Sequence, residues 1–126
     1  MSEEVVVEVD MAKYKHVDLP LERAIEFLER LAELRDSPDI AESLRYLRNF
    51  DEFYEYMRKK FKDYIAPPHR PEDYIRGRAT VDKLKLYVGD NGEKRVTIIL
   101  DRRVKLEDVK RVLEGMGLRV IVNKAF

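Results

Sequence analysis

The chain has 126 residues, of which 44% are hydrophobic and 40% are charged, and its formal net charge at pH 7 is zero. This hydrophobic content argues against a disordered chain, and the absence of cysteine excludes disulfides and thiolate metal sites. Because no stretch approaches the roughly 20 apolar residues that cross a bilayer, and the N-terminus is acidic, we expect a cytoplasmic protein without membrane contact.

The first predicted elements are a short strand and an amphipathic helix. Residues 5–9 are mostly β-branched, which is typical of a strand, whereas residues 10–19 either extend that strand or form a loop. A helix is predicted from Pro20, because the fixed φ of proline suits the first helical position. Its apolar stripe at helical spacing consists of Leu21, Ala24, Ile25, Leu28, Leu31 and Ala32.

The sequence then predicts either two further helices or one bent helix over residues 38–65. Ser37 is expected to cap a second helix that begins at Pro38. A break at Asn49 is favoured because residues 49–52 have the spacing of a capping box. The third helix would present one apolar face, made of Phe50, Phe53, Tyr54, Met57, Phe61, Tyr64 and Ile65.

Residues 66–78 form a proline-rich internal linker between a helical N-terminal half and a ββαβ C-terminal half. Three of its residues, at positions 67, 68 and 71, are prolines, which exclude a regular helix or strand there. A single helical turn between Pro71 and Gly77 is compatible with the sequence.

The C-terminal half predicts a β-hairpin, a helix and a last strand. Asp90-Asn91-Gly92 suits a three-residue hairpin loop, and this loop would pair Leu86 with Val96. The alternating apolar residues of the two strands give the same register. A helix over residues 106–116 would stop at Gly117, and a right-handed crossover would make the last strand parallel to the preceding one.

Together these elements predict an α+β fold, as a single domain over residues 1–126. We expect a small mixed sheet of about four strands in the order β-α-α-α-β-β-α-β, with helices packed mainly on one face. The chain lacks glutamine and cysteine but is rich in Glu, Lys and Arg, which is typical of proteins from thermophilic organisms; a mesophilic protein of skewed composition is the alternative.

Charge is distributed unevenly along the chain. Residues 1–57 carry a net charge of −8, and residues 58–111 carry +7. Either the two halves neutralise one another, or the basic half makes an electrostatically steered contact with a partner.

The outer face of the hairpin is the first candidate site. If Leu84 and Ile98 point inward, the opposite face carries cations around one aromatic ring, which is the chemistry of a single-stranded nucleic-acid platform. The alternative is a solvated or helix-covered sheet face. The candidate contacts on this face are Lys83, Lys85, Tyr87 and Arg95.

The linker is the second candidate, because His69 and three arginines, Arg70, Arg76 and Arg78, could grip a phosphate or carboxylate. Glu72 and Asp73 supply internal partners for the same arginines, which is the structural alternative.

Asp101-Arg102-Arg103 is the third candidate, since it follows the C-terminal end of a strand. Together with Asp82, Asp101 could hold a magnesium ion, although the predicted strand register does not direct the two carboxylates at one point. The alternative is a simple polar turn that ends the strand.

No catalytic signature, metal-ligand spacing or phosphate-binding loop occurs in the sequence, so we expect no cofactor and favour a non-enzymatic binding or assembly module. A nucleic-acid-associated protein using residues 58–111 is the alternative. A second alternative is an enzyme that acts on a small phosphorylated or carboxylated molecule. Self-association is expected through the sheet or the C-terminal edge, using Ile99, Ile121 and Phe126.

Overall fold

A computed structural model describes residues 3–124 of the chain. Within this range the protein has an α+β fold with a five-stranded mixed sheet and five helices, one strand more than the sequence predicted. In chain order, the elements are β1 (Glu4–Val9), β2 (Lys15–Pro20), α1 (Leu21–Leu34), α2 (Pro38–Arg48), α3 (Phe50–Lys59), α4 (Pro71–Ile75), β3 (Val81–Val88), β4 (Lys94–Leu100), α5 (Leu106–Gly115) and β5 (Arg119–Lys124).

The strands lie in the order β3-β4-β2-β1-β5, so both halves of the sequence contribute to one sheet. β1 is parallel to β5, and the other neighbouring pairs are antiparallel. The crossover through α5 therefore passes over two strands, and β5 runs parallel to β4 without touching it. This agrees with the strand direction expected from the sequence.

The additional strand is β2, which occupies the second half of residues 10–19, where the sequence is compatible with either a strand or a loop. The Asp10 side chain ends β1 by accepting hydrogen bonds from the backbone N–H groups of Ala12 and Tyr14, at 2.9 and 3.0 Å. Lys13 completes the turn with a φ of 73°. The chain then returns as β2 and pairs with β1 and β4, which makes β2 the central strand.

Helix α1 begins at Leu21, one residue later than predicted, because Pro20 ends β2. The predicted stripe is partly wrong: Ala32 is exposed, and Phe27, which the stripe omitted, is completely buried, whereas Ile25 is half-buried and packs against the core. Ala24, Leu28 and Leu31 are buried as expected. No helix in residues 3–124 is long and apolar enough to cross a membrane.

The predicted break at Asn49 is confirmed, but the third helix ends at Lys59 rather than Ile65. Phe61 adopts a left-handed φ of 52°, which takes the chain off the helical path. Phe61 was expected to face inward and is 96% exposed. The predicted capping box does not form, since the Asn49 side chain donates to the Arg45 carbonyl instead of capping α3.

The predicted hairpin is confirmed in loop and register. The Gly89 N–H donates to the Glu93 carbonyl at 2.7 Å, and Leu86 pairs with Val96. Gly92 has a φ of 81°, as the loop requires. Helix α5, predicted over residues 106–116, buries Val109, Val112 and Leu113, and Gly117 after it has a φ of 82°.

Replacing Gly92 with valine is expected to destabilise the protein by about 1–2 kcal/mol. A Cβ at this position would meet no heavy atom within 4 Å, so the cost comes from the positive φ alone. Denaturant unfolding of Gly92→Val beside the wild type measures it. Equal stability of the two would contradict the assigned loop conformation.

Candidate functional site

One face of the sheet packs against the core, and the other presents mostly exposed or half-buried side chains. The inward residues of the hairpin, Leu84, Leu86, Val96 and Ile98, are at most 3% exposed. The outer face therefore carries the alternate residues of all five strands. These are Lys83, Lys85, Tyr87, Arg95, Thr97, Ile99, His16, Asp18, Glu4, Val6, Glu8, Arg119, Ile121 and Asn123.

Asp18 on β2 engages two of the four candidate residues of this face. Its carboxylate accepts hydrogen bonds from the Tyr87 hydroxyl, from Arg95 Nε at 2.9 Å and from the Thr97 hydroxyl at 2.9 Å. Arg95 also pairs with Glu93 at 2.5 Å. Burial of Tyr87, together with its bond to Asp18, raises the pKa of the phenol. The side chains of Tyr87 and Arg95 are thus engaged in hydrogen bonds to other residues of the sheet face.

Lys83 and Lys85 lie beyond this cluster and have no carboxylate within 4.0 Å among residues 3–124. Instead, Lys83 Nζ lies 4.5 Å from the ring centroid of Tyr64, and Lys85 Nζ lies 5.8 Å from that of Tyr87. Tyr64 reaches this face because its neighbour Ile65 forms an antiparallel bridge with Leu84. The face therefore holds a second ring.

The segment between α3 and Ile65 extends the same edge of the sheet. Phe61 is almost completely exposed between Lys60 and Lys62, and Lys62 Nζ lies 5.6 Å from the Tyr56 ring. We call this surface the lysine–aromatic edge. It consists of Lys59, Lys60, Phe61, Lys62, Tyr64, Lys83 and Lys85. The sequence does not identify Phe61 and Tyr64 as residues of this surface, although the four cations within residues 58–62 indicate a basic patch.

The apolar residues expected to mediate self-association do not lie together. Ile99 is only 3% exposed, and Tyr14 and Tyr64 line a depression with it, so the structure corrects its expected availability. Ile121 is 36% exposed beside Val6, which is 39% exposed. Phe126 lies outside the described residues.

The linker is anchored by a buried carboxylate on α2. Asp39 is 3% exposed, and its Oδ2 accepts the backbone N–H groups of Thr80 at 2.7 Å and Val81 at 3.0 Å. His69 Nε2 lies 3.0 Å from the same oxygen and 2.8 Å from the Val81 carbonyl oxygen. The Ser37 hydroxyl donates to Asp39 as well. His69 is therefore a structural residue, and sequence reasoning did not single out Asp39.

The three linker arginines converge on one cleft, of about 390 Å³. Within residues 3–124 no carboxylate lies within 4.0 Å of the guanidinium groups of Arg70, Arg76 and Arg78. Acidic residues also line the cleft, but Glu42 is paired with Arg45 at 2.5 Å. The complete lining is Pro38, Glu42, Pro68, Arg70, Glu72, Asp73, Arg76 and Arg78.

Asp101-Arg102-Arg103 forms a turn stabilised from within the chain. Asp101 is 4% exposed and accepts the Arg103 backbone N–H at 2.9 Å, while the Arg103 guanidinium donates to the Tyr74 carbonyl. The buried Lys15 donates to the Arg102 carbonyl at 2.9 Å, and this burial lowers the pKa of Lys15. In the described part of the chain no group of three or more His, Asp or Glu side chains is placed to hold a metal ion.

Comparison with known proteins found no matching family model, curated protein or solved structure.

Proposed function

We propose that this chain is a non-enzymatic binding module that holds single-stranded nucleic acid along the lysine–aromatic edge. One observation carries the proposal. Across residues 3–124, the five lysines of this edge have no carboxylate within 4.0 Å, while exposed rings lie between them. Cations meet phosphates and rings stack on bases, which is how proteins bind single strands without reading sequence.

The distribution of ion pairs supports this assignment. Among the described residues, three acidic side chains of the N-terminal half pair within their own helix: Glu26 with Arg23 and Arg30, Glu42 with Arg45, and Glu55 with Arg58. On the hairpin, the ion pairs between the acidic and basic halves are made by Lys94 with Asp51 and by Arg95 with Asp18, not by Lys83 or Lys85. The N-terminal acids therefore leave the charge of the lysine–aromatic edge available to phosphates.

The shape of the edge favours a nucleic acid over a membrane. Phe61 lies between Lys60 and Lys62, with the exposed Asp63 next in the chain, and the Tyr64 ring lies against Lys83. Two rings with lysines beside them suit the bases and phosphates of a single strand. A membrane-binding surface needs a broad apolar face below its cations, and on this edge Phe61 is flanked by lysine on both sides.

The test is fluorescence anisotropy with labelled single-stranded RNA of mixed sequence at low and moderate salt. Tyr64→Ala is expected to weaken binding by about 1–3 kcal/mol through lost stacking. Lys85→Ala should reduce the slope of log K against log salt by about one unit, because one phosphate contact is lost. Lys105→Ala, an exposed lysine at the start of α5, is the matched control.

No binding at about 50 mM salt and micromolar protein would contradict the proposal, since even non-specific binders register there. Equal effects of Lys105→Ala and Lys85→Ala would contradict the assigned surface. Binding to anionic phospholipid vesicles without binding to RNA would assign the edge to a membrane instead.

A second candidate function is the binding of a small phosphorylated or carboxylated molecule in the three-arginine cleft. The convergence of three arginines that lack carboxylate partners in residues 3–124 favours it, since guanidinium groups bind such oxyanions by forked hydrogen bonds. Titration calorimetry with pyrophosphate and citrate tests this. Arg76→Ala should weaken binding, whereas Arg111→Ala on α5 should not; no heat with either anion would contradict the assignment.

We also propose that the protein comes from a thermophilic organism, on the composition described above. An unfolding midpoint above about 80 °C is expected from calorimetry. A midpoint in the ordinary mesophilic range, about 45–65 °C, would contradict this proposal.

A further inference from the structure

We propose that two copies of this chain join β5 to β5 about a two-fold axis, with Ile121 opposite Ile121 of the partner subunit. The resulting continuous sheet would have ten strands. The proposal is independent of the proposed function, because the lysine–aromatic edge lies at the opposite side of the sheet.

One edge strand of the sheet, β3, is partly covered by another segment of the chain, whereas the other edge strand, β5, is not. At the β3 edge, Ile65 and Leu84 exchange both backbone hydrogen bonds at 2.8 Å, and Pro67 and Pro68 then follow without an N–H group. At the β5 edge, no strand or bridge of residues 3–124 pairs with the outer side. An uncovered edge strand is a template for another strand.

The backbone groups available for pairing follow from one hydrogen bond. The Arg119 N–H donates to the Glu3 carbonyl at 2.8 Å, so Arg119 points its backbone groups at β1. Because these directions alternate along a strand, Val120, Val122 and Lys124 point theirs away from the sheet. Val120 of one copy can then exchange two hydrogen bonds with Val122 of the other.

The side chains select the register with Ile121 on the axis. Ile121 pairs with Val6 on the outer face, so this register forms a continuous apolar stripe of Val6, Ile121 and the same two residues of the partner subunit. It also places Arg119 opposite Asn123 of the partner subunit, beyond which that subunit's Glu8 lies. A shift of two residues would oppose Ile121 to a polar side chain, which is the less favourable cross-strand pair.

Because the β5 edge is complementary to itself in this register, we expect it to bind a second copy of the chain rather than a different protein. Val120, Ile121 and Val122 form an uninterrupted β-branched run, and the Arg119 charge is already balanced by Glu4 at 3.3 Å. The edge therefore lacks the central charge by which proteins keep edge strands apart. A closed two-fold pairing uses the same surface on both subunits and leaves no edge for further growth there.

Light scattering after size-exclusion chromatography of the full chain, at about 100 μM, is expected to give a dimer mass. Ile121→Lys should give a monomer, because it places two like charges on the axis. Ile75→Lys, at an exposed apolar residue of α4, is the matched control and should remain dimeric. A monomer mass for the wild type, or a dimer of Ile121→Lys, would overturn the proposal.

Cysteine crosslinking tests the register, since the chain has no cysteine of its own. A non-hydrogen-bonded antiparallel pair places its Cα atoms about 4.5 Å apart, within the range of about 4.4–6.8 Å that a disulfide needs. Mild oxidation should therefore crosslink Ile121→Cys completely. Asn123→Cys should not crosslink, because the two copies would lie about 13 Å apart along the strands. A dimer in which Asn123→Cys crosslinks and Ile121→Cys does not would overturn the register.

Discussion

Replacing Asp39 with alanine is expected to lower the free energy of unfolding by about 3–5 kcal/mol. The carboxylate is 3% exposed and accepts the backbone N–H groups of Thr80 and Val81. Without it, both backbone donors lose their acceptor inside the protein, while the His69 ring keeps only the Val81 carbonyl oxygen at 2.8 Å. An unsatisfied buried donor costs about 1–3 kcal/mol, so several together account for the expected loss.

Denaturant unfolding of Asp39→Ala measures this loss. Asp36→Ala, which removes an exposed carboxylate three residues earlier, is the control and should change stability by less than about 0.5 kcal/mol. Asp39→Asn should lie between them, because an amide oxygen can still accept the two backbone N–H groups. Equal stability of Asp39→Ala and wild type would mean that α2 and β3 are not joined through this side chain.

Phe27→Ala is expected to cost about 3–5 kcal/mol, because it empties a large volume in the middle of the core. Phe27 is completely buried on α1. The chain supplies a control of the same chemistry in Phe61→Ala, where the ring is 96% exposed and stability should stay nearly unchanged. A similar loss for both variants would contradict the core assigned here. Phe61→Ala is also a folded variant for the binding experiment.

The hairpin was predictable because two independent signals in adjacent residues agreed. The loop chemistry of Asp90-Asn91-Gly92 and the alternation of apolar residues gave one register, and both signals act over short distances. The central strand β2 was not predictable in the same way. Lys15 occupies a buried inward position there, because its ammonium reaches the Arg102 carbonyl, and this breaks the apolar alternation.

The face of α1 depended on packing that the sequence does not display. Two stripes of helical spacing compete on this helix, one through Ile25 and Ala32 and one through Phe27. Only the position of the sheet decides between them, since it buries Phe27 and leaves Ala32 exposed.

The two candidate sites differ in the same way in how far the sequence predicts them. The three linker arginines are close in sequence, so their convergence on one cleft could be anticipated. The lysine–aromatic edge combines residues 59–64 with β3, and it depends on the left-handed conformation of Phe61. A phenylalanine in that conformation has no local sequence signature, so the sequence predicts a helix as far as Ile65, with the Phe61 and Tyr64 rings facing inward.

The pairing of β1 with β5 has a consequence for the rate of folding. Glu4 pairs with Arg119, so this contact closes a loop of nearly the whole described chain, whereas β3 and β4 are joined by a short turn. Loop-closure entropy delays distant contacts, and we therefore expect β5 to dock late, after the hairpin has formed. Until then β1 presents a second open edge, so refolding at high protein concentration should favour wrong pairing between chains.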